Sequence, residues 1–250
     1  MSRRTGLILL LFAGYLVAAL ASLEIDVERV AEGVARGGKF LGGFLQPDFA
    51  SRWSDVSSGM LESLTMTVVA TLAGLLLSLP VALGAARNMA PTPIYLACRA
   101  IVATSRSLHE LVIAILFVVA VGFGPLAGVL TLAFASVGFL GKLLAEEIEE
   151  IDPAQLEAIR ATGARGPQRL WYAVVPQVTP RLVGLTLYRL DINFRESAII
   201  GVVGAGGIGA TLNTAFQRYE YDVAAAILIL IIAVVLLAEY ASGHVRRRVM

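Results

Sequence analysis

Two hundred and fifty residues, 57% apolar and only 16% charged at a mean hydropathy of +0.77, fall outside soluble domains, whose charged share is ~25%, and read as an all-α membrane chain. The net charge of +1, from 20 basic against 19 acidic residues, supplies no overall field to recruit nucleic acid. One cysteine, Cys98, excludes an internal disulfide, and two distant histidines, His109 and His244, fit a metal centre poorly.

Thr5 to Leu23 is the first uncharged run, behind Arg3 and Arg4. A membrane crossing of ~20 residues fits it, as does a signal peptide cleaved at Ala19-Leu20-Ala21; the crossing is preferred because it gives the later segments a consistent topology. Glu24 to Ser58 follows, with six acidic and four basic residues. Within it Asp26 to Ala35 predicts a short amphipathic helix, which Gly37-Gly38, Gly42-Gly43 and Gln46-Pro47 should break. Residues 1–58 are thus expected to form an N-terminal helix and external segment, and residues 59–250 a core of their own.

Ser63 to Ala86 is uncharged for 24 residues, about 36 Å of helix, and spans readily. After a turn at Arg87 to Pro93, the 31 uncharged residues Leu111 to Gly141 are cut by Gly122-Phe123-Gly124-Pro125. They read as two crossings, the first beginning near Ile94 and the second running from Leu126 to about Leu144. Ala145 to Pro176 is a polar loop with six acids and three arginines. Gln177 to Ile200 is apolar enough to cross although it carries Arg181, Arg189, Asp191, Arg195 and Glu196, and Tyr221 to Ala238 makes the last crossing before Arg246-Arg247-Arg248. About six crossings put both termini on one side. The bias of basic residues toward cytoplasmic loops assigns Arg3, Arg4, Arg87 and Arg246 to Arg248 to the cytoplasm, with the 145–176 loop, and leaves residues 24–58 outside.

In that loop Glu157-Ala158-Ile159-Arg160-Ala161-Thr162-Gly163 is followed thirteen residues on by Pro176, after Val175. Asp152-Pro153 is a helix start signal, and Gly163 can take the positive φ that ends a helix. The spacing resembles the Glu-Ala-Ala, Gly, Leu-Pro pattern of ABC importer permeases, with Ile159 and Val175 as its two departures. Gly122 to Gly128, Gly141 to Pro153, Tyr188-Arg189 and Val203 to Gly209 further resemble the phosphonate-type branch of that family. In related permeases Arg106-Ser107 is commonly followed by one residue and then proline; here Leu108-His109 stands instead, which leaves the local helix break open.

The resemblance implies a type I ABC importer permease fold with the coupling loop at residues 145–176, docked through Glu157, Ala158 and Gly163 in a groove of an ABC ATPase. It implies an inner-membrane homodimer working with an ATPase dimer and an external solute-binding protein, in contact with membrane lipid and not with nucleic acid. The cargo it implies is phosphonate or a related phosphorus oxyanion; phosphate, phosphite and an amino acid are alternatives. No catalytic residue, metal or cofactor is expected on this chain, since no G-x-x-x-x-G-K-[ST] loop occurs; ATP and Mg belong to the partner.

Gly204 to Gly209 satisfies G-x-G-x-x-G, but it lacks the βαβ setting of a dinucleotide site. With Gly204, Gly206, Gly207 and Gly209 it reads as a flexible outer turn or a gate, the turn being preferred. At 100° per residue Arg189, Asn193 and Glu196 fall within about 60° of one another, and Tyr188, Asp191 and Arg195 lie nearly opposite. One reading is self-neutralisation, Asp191 with Arg195 at i, i+4. The other is a water-filled path lined by Arg189, Asn193, Arg195 and Glu196, and by Arg106 from another helix, in which arginine offers planar donors to an oxyanion. Arg99 suits the interface, where its side chain can snorkel. An intramembrane enzyme built on His109, Glu110 and Asp191, or a membrane scaffold, are the readings from other classes.

Overall fold

The computed structural model describes residues 3–22 and 27–249; Glu24, Asp26 and the side chains of Arg3 and of Arg246 to Arg248 lie outside the described residues. The chain divides into two compact units, Met1–Pro47 and Asp48–Met250. In the first, α1 (Arg3–Ser22) is long and apolar enough to cross a bilayer from Arg4 to Ser22. The second helix, α2 (Val27–Phe44), runs through both glycine pairs expected to break it. Each glycine costs a helix about 0.5–1 kcal/mol, and the Glu32–Arg36 ion pair with the edge-on contact of Phe40 and Phe44 (centroids 4.8 Å apart) acts against that cost.

The second unit begins with an Asx turn, in which Asp48 Oδ1 accepts from the amides of Ala50 (2.8 Å) and Ser51 (3.1 Å). Its own amide donates to the Asp222 carbonyl at 3.1 Å, and Arg52 approaches both carboxylate oxygens of Glu220 at 2.9 Å. These bonds tie the start of the second unit to the segment around Glu220 and Asp222. The long helix α3 (Trp53–Ala85) then crosses. Along it Thr67 and Thr71 return their hydroxyls to the carbonyls four residues back, so apolar surroundings leave neither unsatisfied.

At the far end of α3, Arg99 of α4 (Thr92–Ser107) donates to the Ala85 carbonyl (2.9 Å) and pairs with Glu149 (3.0 Å). Glu149 also accepts from the Arg87 amide (2.7 Å), while Asn88 donates to the Ile148 carbonyl (2.7 Å). Leu108 and His109 are extended, and α5 (Glu110–Val121) leaves at 95° to α4. The crossing expected to begin near Ile94, whose local break the sequence left open, is therefore a bent pair. No proline is needed for the break, because His109 Nδ1 accepts the Leu111 amide (3.3 Å) and caps the new helix.

Gly122 and Gly124 take φ of +92° and +124°, a turn that L side chains disfavour, and Pro125 starts α6 (Pro125–Glu149). Helices α3 and α6 form the centre of the unit, packed through small residues: a Cβ on Gly74 would fall 2.4 Å from Ser136 and one on Gly128 2.1 Å from Met66, while one on Gly138, where α6 meets α4, would fall 2.4 Å from Ser105. In a bilayer, where burying apolar surface drives nothing, such close approach is what holds helices together.

The chain continues through α7 (Pro153–Ala161), α8 (Gly166–Arg169), a π turn at Leu170–Val174, α9 (Val175–Gly201), α10 (Ile208–Gln217) and α11 (Tyr221–Val249). The π turn precedes Pro176, whose missing N–H cannot serve an ordinary helical bond; the Val175 amide reaches five residues back to Leu170. At 27 residues α9 is long enough to cross, but its charges set it apart from α1, α3, α6 and α11, the four helices that are both long and apolar enough. Leu76, Val119 and Leu237 point outward, as on a surface solvated by lipid tails.

Candidate translocation and coupling sites

Asp152 opens α7: its Oδ1 accepts the Ala154 amide at 2.9 Å, with Pro153 at the first helical position where a missing N–H is harmless. Gly163, at φ +80°, closes it by donating to the Arg160 carbonyl at 3.0 Å. Glu157 and Ala158 are exposed, and nothing lies within 4 Å of a Cβ built on Gly163. The three expected coupling residues thus share one short exposed element at one end of the bundle. A hydrogen bond from the Asp152 amide to Gln177 Oε1 (2.9 Å) ties its start to α9.

In mid-helix α9 a buried polar knot joins three helices. Asn193, with no exposed surface, donates to Thr71 Oγ1 of α3 (2.8 Å) and to Ser136 Oγ of α6 (3.1 Å). Arg189, 3% exposed, donates from Nε to the same Ser136 oxygen (2.8 Å) and stacks its guanidinium 5.3 Å from the Phe139 ring centre. Its Nη2 is buried without a hydrogen-bond partner. The carboxylates of Glu110 and half-buried Glu196 act on its charge.

The five residues expected along one path are therefore separated. Arg189 and Asn193 sit inside the bundle, closed to solvent in this conformation, with Glu196 at the edge of the same face. Arg195 is exposed on another face and bound to Asp191, Nη2 to Oδ2 at 2.8 Å. Asp191 is itself buried between α3 and α11, beside Leu64, Val68 and Val234, and its Oδ1 has no partner. Arg106 lies exposed on α4, with its stem against Gly138. Sequence reasoning did not find Thr71, Ser136 or Phe139. Their partners were visible as polar residues one turn apart on α9, but hydroxyl and aromatic residues in apolar runs carry no signal of what they face.

At the opposite end from α7, the glycine segment is a tight, packed turn rather than a flexible one. Gly204, Gly206 and Gly207 have φ of +93°, +80° and +72°, and the Gly204 carbonyl accepts the Gly124 amide at 3.0 Å. The Ile208 amide donates to Ser63 Oγ of α3 (2.9 Å). A Cβ on Gly209 would stand 2.0 Å from the Ala198 carbonyl oxygen, and one on Gly206 2.7 Å from Glu62 and 2.8 Å from the Pro125 nitrogen. Beside the turn a cavity of about 340 Å³ opens among Asp55, Glu62, Thr211 and the Arg52–Glu220 pair. The hydrogen bond to Glu220 holds the Arg52 charge firmly, raising its pKa above the ordinary value. Among the described residues no group of three His, Cys, Asp or Glu could hold a metal ion.

A multi-helix membrane bundle with charges buried in one crossing, an exposed two-helix segment at one end and a rigid glycine turn at the other defines a polytopic transport subunit. Residues 78–250, well over half of the chain, match the family of binding-protein-dependent transport system inner membrane components, and the chain belongs to that family. It is 40% identical over 95% of its length to the phosphate-import permease protein PhnE of Mycolicibacterium smegmatis, of which it spans 45%. It is 39% identical over 98% of its length to the phosphite transport system permease protein PtxC of Stutzerimonas stutzeri, of which it spans 89%. Among solved structures, the inward-facing MetNI methionine ABC transporter superposes at a TM-score of 0.67, with 26% identity, over 78% of this chain and 96% of that one. The chain is thus a multi-pass inner-membrane permease of an ABC importer of the phosphonate type, a translocating component and not an enzyme.

Proposed function

We propose that the chain conducts phosphonate or a related phosphorus oxyanion inward across the membrane as one of two identical copies, with an ATPase pair at the α7 end and a solute-binding protein at the glycine-turn end. ATP and Mg act on the ATPase, and this chain carries no cofactor. The observation that carries the cargo class is similarity across almost the whole chain to a phosphite permease and, over 95% of it, to a phosphate-import permease.

The α7 end is cytoplasmic in this reading because Arg87 lies there with the coupling segment, and the same bias of basic residues assigns Arg4 and both termini to the cytoplasm. ATP-driven closure of the ATPase pair moves Glu157, Ala158 and Gly163, and α9 follows because α7 packs on the π turn and is bonded to Gln177 at its start, while the helix runs on from α8 through the π turn into α9. Arg189, with one free donor, then exchanges Ser136 for an oxyanion oxygen as the bundle opens. Glu110 and Glu196 keep that hold weak, as conduction requires. Asn193 orients Arg189 through Ser136, Arg195 and Arg106 draw the anion toward the opening from its edges, and the turn at Gly204, Gly206, Gly207 and Gly209 forms a stiff outer gate.

The test is ATP-dependent uptake of a labelled alkylphosphonate into liposomes holding this chain with its ATPase and binding protein, in competition with phosphate, phosphite and methionine. Inhibition by the phosphorus oxyanions is the expected result. Inhibition by methionine alone would replace the cargo and keep the permease, and absence of ATP-dependent uptake for every solute would remove the proposed function.

A further inference from the structure

The α7 end carries a feature that coupling does not use. A cavity of about 540 Å³ lies between the α3–α4 turn and the α7–α8 segment, with Pro80, Leu83, Ile94 and Leu156 among its apolar walls and Arg160 and Arg169 as its only charged lining. A second cavity of about 300 Å³ adjoins it across Leu83 and Leu170. Leu79, Val174, Val178 and Leu182 wall this groove, and the exposed ring of Trp171 stands at its rim.

The arginines at this end differ in how they are satisfied. Arg99 pairs with Glu149 and Arg181 with Glu147 (2.7 Å), and Arg87 stacks on Tyr95. Arg160 and Arg169 form no ion pair with any described residue, no acidic side chain lines either cavity, and Arg169 Nε is buried without a hydrogen-bond partner. A donor pair of that kind suits a phosphate oxygen. The continuous apolar groove beside it suits a hydrocarbon chain, and exposed Trp171 and Tyr172 are the side chains that collect at the headgroup level of a bilayer. Soluble anions have no use for the groove, and neutral lipids have no use for the arginines.

We propose that Arg160 and Arg169 bind the phosphate of an anionic phospholipid whose acyl chain lies in the groove between α3 and α9, bracing the coupling segment against the bundle. Basic pockets on the cytoplasmic side of helical bundles recognise such headgroups. The site rests on the reading of the α7 end as the cytoplasmic membrane interface.

The chain has two tryptophans, Trp53 and Trp171, at opposite ends of the unit, so Trp53→Phe leaves Trp171 as the reporter. In nanodiscs of the full chain, brominated phosphatidylglycerol should quench Trp171 more strongly than brominated phosphatidylcholine. That preference should weaken about fivefold for each of Arg160→Gln and Arg169→Gln. Trp53, read in Trp171→Phe, should show no preference. Val178→Phe, which fills the groove and keeps both arginines, should weaken the preference too and gives a second reading if an arginine variant does not fold. Equal quenching by the two lipids, or a preference that survives removal of both arginines, overturns the site. So does displacement by millimolar inorganic phosphate, which would mark a soluble-anion pocket. Trp171 shielded from both lipids while Trp53 is quenched would mean that protein, a second copy or the ATPase, covers the groove, and also overturns it. Ala158→Cys in a Cys98→Ser background, labelled by an impermeant maleimide from outside right-side-out vesicles, would overturn the orientation alone, because nanodiscs are open on both faces.

Discussion

Asn193 is the residue on which three crossings converge. Removing its amide leaves the Thr71 hydroxyl without that donor and the Ser136 oxygen without one of two, at positions buried inside the bundle. Asn193→Ala should lower the stability of the detergent-solubilised protein by about 1–3 kcal/mol, with the lower end favoured by the small values found for hydrogen bonds between membrane helices; thermal unfolding would measure it, and an unchanged midpoint would show that the knot contributes nothing. Asp48 makes a different prediction, at the aqueous edge. The Ser51 side chain and the Ser51 and Ala50 amides favour its carboxylate and lower its pKa. A group whose folded pKa is depressed stabilises above its unfolded pKa and loses that contribution as pH falls through the folded value. The protection of the Ala50 and Ser51 amides, taken relative to their intrinsic exchange rates at each pH, should therefore fall as acid passes below the ordinary carboxylate range, and Asp48→Asn should flatten that profile.

Among the elements, those defined by local chemistry were legible in the sequence. Asp152-Pro153 and Gly163 mark both ends of α7 because a cap, a proline without a donor and a residue free to take positive φ act within a few residues. The bend between α4 and α5 was left open at Leu108-His109: an uncharged count sees length, whereas the break is carried by those two extended residues and by His109 capping α5. The packing of the glycine turn was not legible, since composition alone suggests looseness and the constraint comes from Ala198 in the preceding helix and from Ser63 and Pro125, far away in sequence. Gly209→Ala sets its Cβ against a backbone oxygen that cannot rotate away and should cost about 1–3 kcal/mol or more; Gly42→Ala, inside α2 with nothing within 4 Å, should instead favour its helix by about 0.5–1 kcal/mol and serves as the contrast. Gly163→Pro denies both the positive φ and the donated hydrogen bond. It should leave the chain inserted and abolish ATP-driven uptake, and uptake equal to the parent's would remove α7 from coupling.

For the molecule as a whole, the charges of α9 were readable as two faces, but not their environments: one face is locked inside the bundle and the other is half open beside Asp191. This predicts unequal consequences. Arg189→Gln should cut uptake sharply while ATPase binding, measured by co-purification, persists; Arg195→Gln should impair it less, because Asp191 already holds that guanidinium. Equal losses would place both arginines on one route. A mechanical consequence follows from the unbroken helical course of Gly166 to Gly201. In the coupling role proposed above, the segment behaves as a push-rod joined to α7 by the short turn at residues 162–165, and it can yield at that turn, at the widened turn of Leu170–Val174 and at Pro180. If the proposed ATPase stroke enters at α7, the fraction of it that reaches Arg189 is set by how little those joints yield.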